Sequence, residues 1–185
     1  MAWKTAAQVR ALTGKRHRFQ LITTGHLEKP LYTFAADVHL GKLARMLRMM
    51  GFDTAYSNSW SFADLLAVAS AQHRVVLSRN PQFALRPEIT SIVIASDNYR
   101  AQLKQVELQL SIMKNSFPFS RCLTCNGTLA AVSKEKVAPF LKEQTQRHYQ
   151  KFWQCVSCQK VYWEGPHYNR MVQFIQSFNP ASEQG

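Results

Sequence analysis

Residues 34–53 read FAADVHLGKLARMLRMMGFD, and this stretch decides the fold. A short apolar run ends at Asp37, and a basic amphipathic segment starts directly after it. Leu40, Leu43, Leu47 and Met50 fall on one helical face, while Lys42, Arg45 and Arg48 recur every three residues as a sloping cationic stripe. An acid at the carboxyl end of a strand stands where open α/β sheets place ligand chemistry. Beside cations it suggests a metal-dependent site for a phosphate-bearing substrate. The same acid also suits a plain helix N-cap, and the same stripe suits a solvated helix face.

Outward from this segment, apolar strands alternate with helical patterns. The pattern predicts a strand from Leu31 to about Asp37, a helix over about His39–Met50, a strand near Phe52–Tyr56 and a helix over about Phe62–His73. Then come a strand at Arg74–Ser78, a short turn after Asn80-Pro81, a strand at Ser91–Ala95 and a helix over about Tyr99–Lys114. Such alternation implies a parallel sheet covered on both faces. Pro118 marks a change to paired cysteines, aromatics and lysines. After Pro166, the residues Met171, Phe174, Ile175 and Phe178 form one apolar helix face, expected to dock on its own small domain. The expected division is a basic extension at 1–30, an α/β domain at 31–118, a metal-binding ribbon with its helix at 119–178, and a disordered tail at 179–185.

All four cysteines lie in two Cys-x₂-Cys pairs, Cys122/Cys125 and Cys155/Cys158, separated by 29 residues. This spacing is the sequence form of a zinc ribbon, in which two tight turns present four thiolates to one structural Zn²⁺. His148 and His167 serve only if a thiolate is displaced. Phe152, Trp153, Tyr162 and Trp163 interleave with Lys151 and Lys160, as either a small ribbon core or a surface that stacks bases.

Across 185 residues, 23 Lys and Arg stand against 11 Asp and Glu, for a formal charge of +12. Four thiolates around Zn²⁺ lower the excess to about +10. The balance suits a polyphosphate partner such as RNA. The absence of an apolar leader or of a run of about 20 apolar residues points to a cytoplasmic protein without a membrane span.

Parallel strands align their carboxyl ends, so Asp37, Asp64, Asn80 and Asp97 are candidates for one cluster that would hold Mg²⁺ or Mn²⁺. Each has a structural alternative. Ser61-x-x-Asp64 reads as a capping box, Asn80-Pro81 as an N-cap with proline at the first helical position, and Asp97-Asn98 as a turn.

The runs Asp37-Val38-His39-Leu40-Gly41-Lys42-Leu43-Ala44-Arg45, Leu47-Arg48 and Gly51-Phe52-Asp53 resemble the Mut-seven C-terminal RNase domain, a PIN-like nuclease family usually followed by a zinc ribbon. Val75-Val76-Leu77-Ser78-Arg79-Asn80 resembles that family's strand ending in Thr-Arg-Asp. The two cysteine pairs and Val161-Tyr162-Trp163-Glu164-Gly165-Pro166-His167 resemble its ribbon. The resemblance spans about residues 31–172. It implies a PIN-like three-layer α/β/α sandwich with a parallel sheet, plus a small C-terminal zinc ribbon, and metal-dependent cleavage of RNA. It carries Asp37 and Asp64 over as metal-binding acids, with Asp97 as a further member. Lys42, Arg45 and Arg79 become phosphate contacts, with Arg48 next along the cationic stripe. Arg45 and Arg79 could equally brace the acids. Asn80 departs from the family's acid: an amide offers oxygen but no charge. The alternatives are an RNA- or ribosome-binding protein that does not cleave, and a protein-interaction module. Oligomeric state and a protein inhibitor are not read from the sequence.

Overall fold

The computed structural model describes residues 32–178, so the expectations for residues 1–30 and for the tail 179–185 fall outside the described residues. Four strands form a parallel sheet in the order β2-β1-β3-β4: β1 Phe34–Ala36, β2 Thr54–Tyr56, β3 Val75–Ser78 and β4 Ser91–Val93. Successive residues point to opposite faces. Phe34, Ala36, Val75, Leu77, Ile92 and Ile94 therefore enter one core. Ala35 and Val76 enter another with Leu65, Ala69 and Phe83.

The larger core is covered by α1 (Gly41–Met49) and α3 (Tyr99–Leu110), the smaller by α2 (Phe62–Gln72) and the 3₁₀ turn Pro81–Leu85. Helix α1 buries Leu43, Ala44 and Leu47, and the 3₁₀ turn Val38–Leu40 leads into it. It stops at Gly51, whose φ of +92° suits a residue without Cβ. A Cβ there would also lie 2.0 Å from the Phe117 carbonyl oxygen. The helix expected to reach Lys114 ends at Leu110, because Ser111 turns left-handed with φ 50°, and the 3₁₀ turn Ile112–Asn115 follows.

The second sheet is antiparallel: β5 Leu129–Val132, β6 Phe152–Cys155 and β7 Val161–Trp163, in that order. Two short helices, α4 (Lys134–Val137) and α5 (Glu143–His148), fill the excursion between β5 and β6. Phe152 and Tyr162 are buried, which puts those two ribbon aromatics in the packing role, while Trp153 and Trp163 keep partial exposure.

One core cluster crosses the boundary expected at Pro118. It joins Leu47, Met49 and Phe52 to Cys122, Leu123, Cys155, Tyr162, Tyr168 and Ile175. The backbone is stitched there too, with Phe117 N donating to Met50 O at 2.9 Å and Phe119 N to Met49 O at 2.8 Å. Helix α6 (Pro166–Gln176) was expected to dock on its own domain; instead it reaches both units. Phe174 stacks on Tyr99 of α3 with ring centroids 6.0 Å apart, and Tyr168 meets Phe119 at 5.1 Å. The apolar spacing of α6 gave the right face but could not give its partner.

Candidate active site and metal centre

In the order β2-β1-β3-β4 the chain leaves β1 toward one edge for β2 and then crosses to β3 on the other side. The crevice at the carboxyl ends of β1 and β3 is therefore the topological switch point, where such sheets bind ligands. Asp37 leaves β1 there, and Ser78, Arg79 and Asn80 leave β3 beside it. Asp37 is 9% exposed, and its carboxylate is held from three directions. His39 N donates to Oδ1 at 2.8 Å, while Ser78 Oγ at 2.5 Å and Arg79 N at 2.8 Å donate to Oδ2. Ser78 Oγ in turn accepts from Asn80 N at 3.0 Å, so one hydroxyl couples the first acid to the turn that carries Asn80.

The sequence expectations divide at this point. Asp37 does cap the 3₁₀ turn, yet it also stands in the crevice, so the two readings of it coexist. Asp97 is exposed and, among the described residues, is linked to the turn after β3 only through an ion pair from Arg79 Nη1 to its Oδ1. Asn80 follows Arg79, and its side-chain oxygen caps the next turn by accepting from Gln82 N at 3.0 Å. Asp64 is exposed and completes the capping box: its Oδ2 accepts from Ser61 N at 2.9 Å and from Ser61 Oγ at 2.7 Å. Those hydrogen bonds hold its carboxyl below the usual range. No bond joins Asp64 to Asp37.

Lys42 and Arg45 are exposed on α1. Arg48, expected on the same stripe, is 6% exposed and faces inward. Its Nε donates to Thr54 O at 2.9 Å and its Nη1 to Thr124 O at 2.9 Å and Leu123 O at 3.4 Å. Burial pulls this guanidinium below its ordinary value, and Cys122, Cys125 and Asp53 oppose the shift. Arg48 fastens the first cysteine turn to the sheet and is not available to substrate.

Two residues to which the sequence reading gave no role matter here. Ser78 orients Asp37; its only signal was a small hydroxyl at the end of a buried strand. Asp53 accepts from Arg74 Nη1 at 2.6 Å and Asn126 Nδ2 at 2.8 Å through Oδ1, and pairs with Arg121 Nη2 at 3.3 Å through Oδ2. With Asn126 Oδ1 accepting from Thr54 N at 2.9 Å, it binds the edge strand β2 to the first cysteine turn. Asp53 appeared only as the last residue of a motif, and spacing could not connect it to residues about 70 positions away.

Among the described residues, the cysteine quartet is the one group of three or more Cys, His, Asp or Glu whose ligand atoms all lie within 4.8 Å of one another. Cys122 and Cys158 sulfurs are 3.6 Å apart, and those of Cys125 and Cys155 are 3.4 Å apart. Tetrahedral zinc with bonds of about 2.3 Å separates its sulfurs by about 3.8 Å, so the four residues fit structural zinc. The two turns repeat one geometry: Asn126 N donates to Cys122 O and Gln159 N to Cys155 O, and both residues are left-handed. Gly127 is needed because a Cβ there would sit 2.8 Å from Cys155 Sγ.

Asp37, Asp64 and Asp97 do not gather within that limit, so they form no all-protein cage for a second metal. Mg²⁺ commonly binds through only one or two carboxylates together with substrate phosphates. Asp37 fits that use, since its two oxygens offer about four acceptor positions and three are taken.

Among the described residues no helix is long and apolar enough to cross a membrane. Comparison with curated proteins and with solved structures gave no match. The family model described as the Mut7-C RNAse domain matches residues 32–175, which covers both sheets, the switch-point crevice and all four cysteines. The chain belongs to the Mut7-C RNAse domain family.

Proposed function

We propose that the protein is an endoribonuclease that hydrolyses RNA phosphodiesters at the β1/β3 crevice with Mg²⁺ or Mn²⁺, and that Asn80 weakens it. The observation that carries this reading is the buried Asp37 carboxylate, fixed at the switch point by Ser78 and Arg79. Asp37, with the Asn80 amide oxygen and Asp97 beside it, would hold the cation against the substrate phosphate. A bound cation of this kind supplies an activated water and neutralises charge on the phosphate.

The chain's own residues do the rest. Lys42 and Arg45 attract the phosphate backbone along α1. Ser78 Oγ and the Arg79 amide hold Asp37 in one orientation, so its charge needs no rearrangement when substrate arrives. Arg79 pairs with Asp97 across the β3–β4 edge, and a substrate phosphate competes for the same guanidinium. Asp64 acts as a capping residue unless α2 shifts. The ribbon positions RNA, and its thiolate set suits a reducing cytoplasm.

Asn80 favours a second reading. Its oxygen is engaged as an N-cap and it carries no charge, which suits a protein that binds RNA without cutting it. The test is cleavage of structured and single-stranded RNA with Mg²⁺ or Mn²⁺ by the natural chain, Asp37→Asn and Asn80→Asp. Slow metal-dependent cleavage that disappears in Asp37→Asn and rises in Asn80→Asp supports the nuclease. Cleavage unchanged in Asp37→Asn overturns it, and salt-sensitive binding with cleavage only in Asn80→Asp assigns the natural chain to the binders.

A further inference from the structure

The polar chain Asp37–Arg79–Asp97 does not end at Asp97. Asn98 follows and caps α3 by accepting from Arg100 N at 2.9 Å and Ala101 N at 3.3 Å. This places Tyr99 and Arg100 in the first turn of α3, the helix that follows β4 beyond its carboxyl end. The guanidinium of Arg100 lies 4.7 Å from the Phe174 ring centroid and 6.0 Å from that of Tyr99. The two rings are stacked with 21° between their planes, and Phe178 continues the row at 5.0 Å from Phe174. All three rings are half-buried, whereas Arg100 is exposed.

Arg100 also differs in charge from the neighbouring Arg79. Arg79 is neutralised by Asp97, but among the described residues no carboxylate pairs with Arg100. An unneutralised guanidinium resting on aromatic faces keeps its edge N–H groups for a phosphate and offers its plane to a base. Aromatic surface beside cations is how single-stranded nucleic acid is held without sequence readout. Packing alone explains the ring contacts that dock α6 on α3. It does not call for an exposed, unpaired cation laid over them three residues from Asp97.

We propose that Arg100, seated on the Tyr99–Phe174 pair, forms a subsite for one nucleotide of single-stranded RNA on the β4 side of the crevice. The proposal rests on the RNA reading of the Asp37 site and extends it. Three residues of backbone span at most about 11 Å, which keeps the subsite on the Asp97 side of the crevice. An RNA strand would then run from Lys42 and Arg45 on α1, past Asp37, to Arg100. The C-terminal helix α6 thereby contributes a wall to the substrate path, in addition to closing the core.

The test uses the full zinc-loaded chain and a labelled oligouridylate about a dozen nucleotides long, with affinity measured over a range of salt. Arg100→Gln is expected to lower affinity about tenfold and to reduce the slope of log affinity against log salt by about 0.7, the value for one phosphate contact on a single strand. Arg100→Lys should restore the slope but only part of the affinity, since it keeps charge and loses the plane. Phe174→Leu should weaken binding while leaving the slope alone, with zinc content and thermal midpoint reporting that α6 stays docked. If the natural chain binds the oligouridylate and Arg100→Gln changes neither affinity nor slope, the subsite is wrong while the nuclease reading stands. If the natural chain binds no RNA, both fall. Competition by polyglutamate as strong as by RNA would reduce the surface to a generic anion site and overturn the base-stacking proposal.

Discussion

Arg48 Nη1 donates to the Thr124 carbonyl at 2.9 Å, so helix α1 is fastened to a cysteine turn 76 residues later. The same guanidinium holds Thr54 O and Leu123 O. Arg48→Ala leaves buried carbonyls without donors, at about 1–3 kcal/mol for each one that water cannot reach. A total loss of about 2–4 kcal/mol in urea unfolding is expected. Where the variant remains folded, its affinity for RNA should match the natural chain's, because the side chain never meets substrate. A drop in affinity with unchanged stability would place Arg48 on the RNA surface after all.

Asp53 makes a pH-dependent contribution. Burial alone would raise its carboxyl, but hydrogen bonds from Arg74 and Asn126 and the charge of Arg121 hold it below its ordinary value. A depressed acid contributes stability that is complete above its unfolded pKa of about 3.9 and is lost as pH falls through the folded value. Urea unfolding should therefore show stability falling below about pH 4. Asp53→Asn should be weaker at neutral pH by about 1–3 kcal/mol and should have a flatter acid limb. Parallel acid limbs for the two proteins would mean that another carboxylate governs acid unfolding.

Tyr162 is placed to position the cysteine quartet, with its hydroxyl 3.0 Å from Cys122 Sγ. Burial works against the Cys122 thiolate. Hydrogen bonds from Tyr162 and from the Cys125 and Thr124 amides outweigh it and bring the thiol down to about 6. Cys158 is pushed up to about 12 by burial and its neighbouring thiols, and Cys125 is also raised. Cys122 thus carries its charge before metal arrives, and Cys125 and Cys158 must give up protons to bind it. Titration calorimetry in buffers of different ionisation enthalpy should detect that proton release, and affinity should fall as pH is lowered. Tyr162→Phe should weaken zinc binding by about tenfold; equal affinity would leave the hydroxyl with a packing role alone.

Ser78→Ala tests whether the orientation of Asp37 matters. The change removes a 2.5 Å donor to Oδ2 and the acceptor of Asn80 N together. Under the proposed function, the metal-dependent rate on RNA should fall by about tenfold or more while RNA affinity stays within about twofold, because Ser78 carries no charge toward the phosphates. Ser78→Thr should restore the rate. A rate unchanged in Ser78→Ala would leave the hydroxyl without a part in orienting Asp37.

How far the sequence could be read follows the range of each signal. Asp37, Ser61 with Asp64, Asn80 with Pro81, and the cysteine turns are encoded within a few residues, and the structure has the caps and turns their spacing implied. The parallel sheet followed from short alternating elements, whereas its strand order, and with it the switch point, came only from the pairing of strands. Arg48 was misplaced because a three-residue repeat of cations looks the same whether its third member faces water or a partner 75 residues away. Asp53 gave no sign of Arg121 or Asn126, and the apolar face of α6 gave none of Tyr99, because contacts between distant segments leave no periodicity.

The core that runs across the expected boundary also constrains how the chain is made. Synthesis delivers α1, β2 and α3 first, yet Leu47, Met49 and Phe52 share their cluster with Leu123, Tyr162, Tyr168 and Ile175. A chain still on the ribosome after Leu110 therefore holds an apolar surface whose cover has not been translated, with Arg48 lacking the Leu123 and Thr124 carbonyls and Asp53 lacking Arg121 and Asn126. Such intermediates are prone to aggregate. Emergence of α6, which carries Tyr168 and Ile175 of that cluster, ends this exposure.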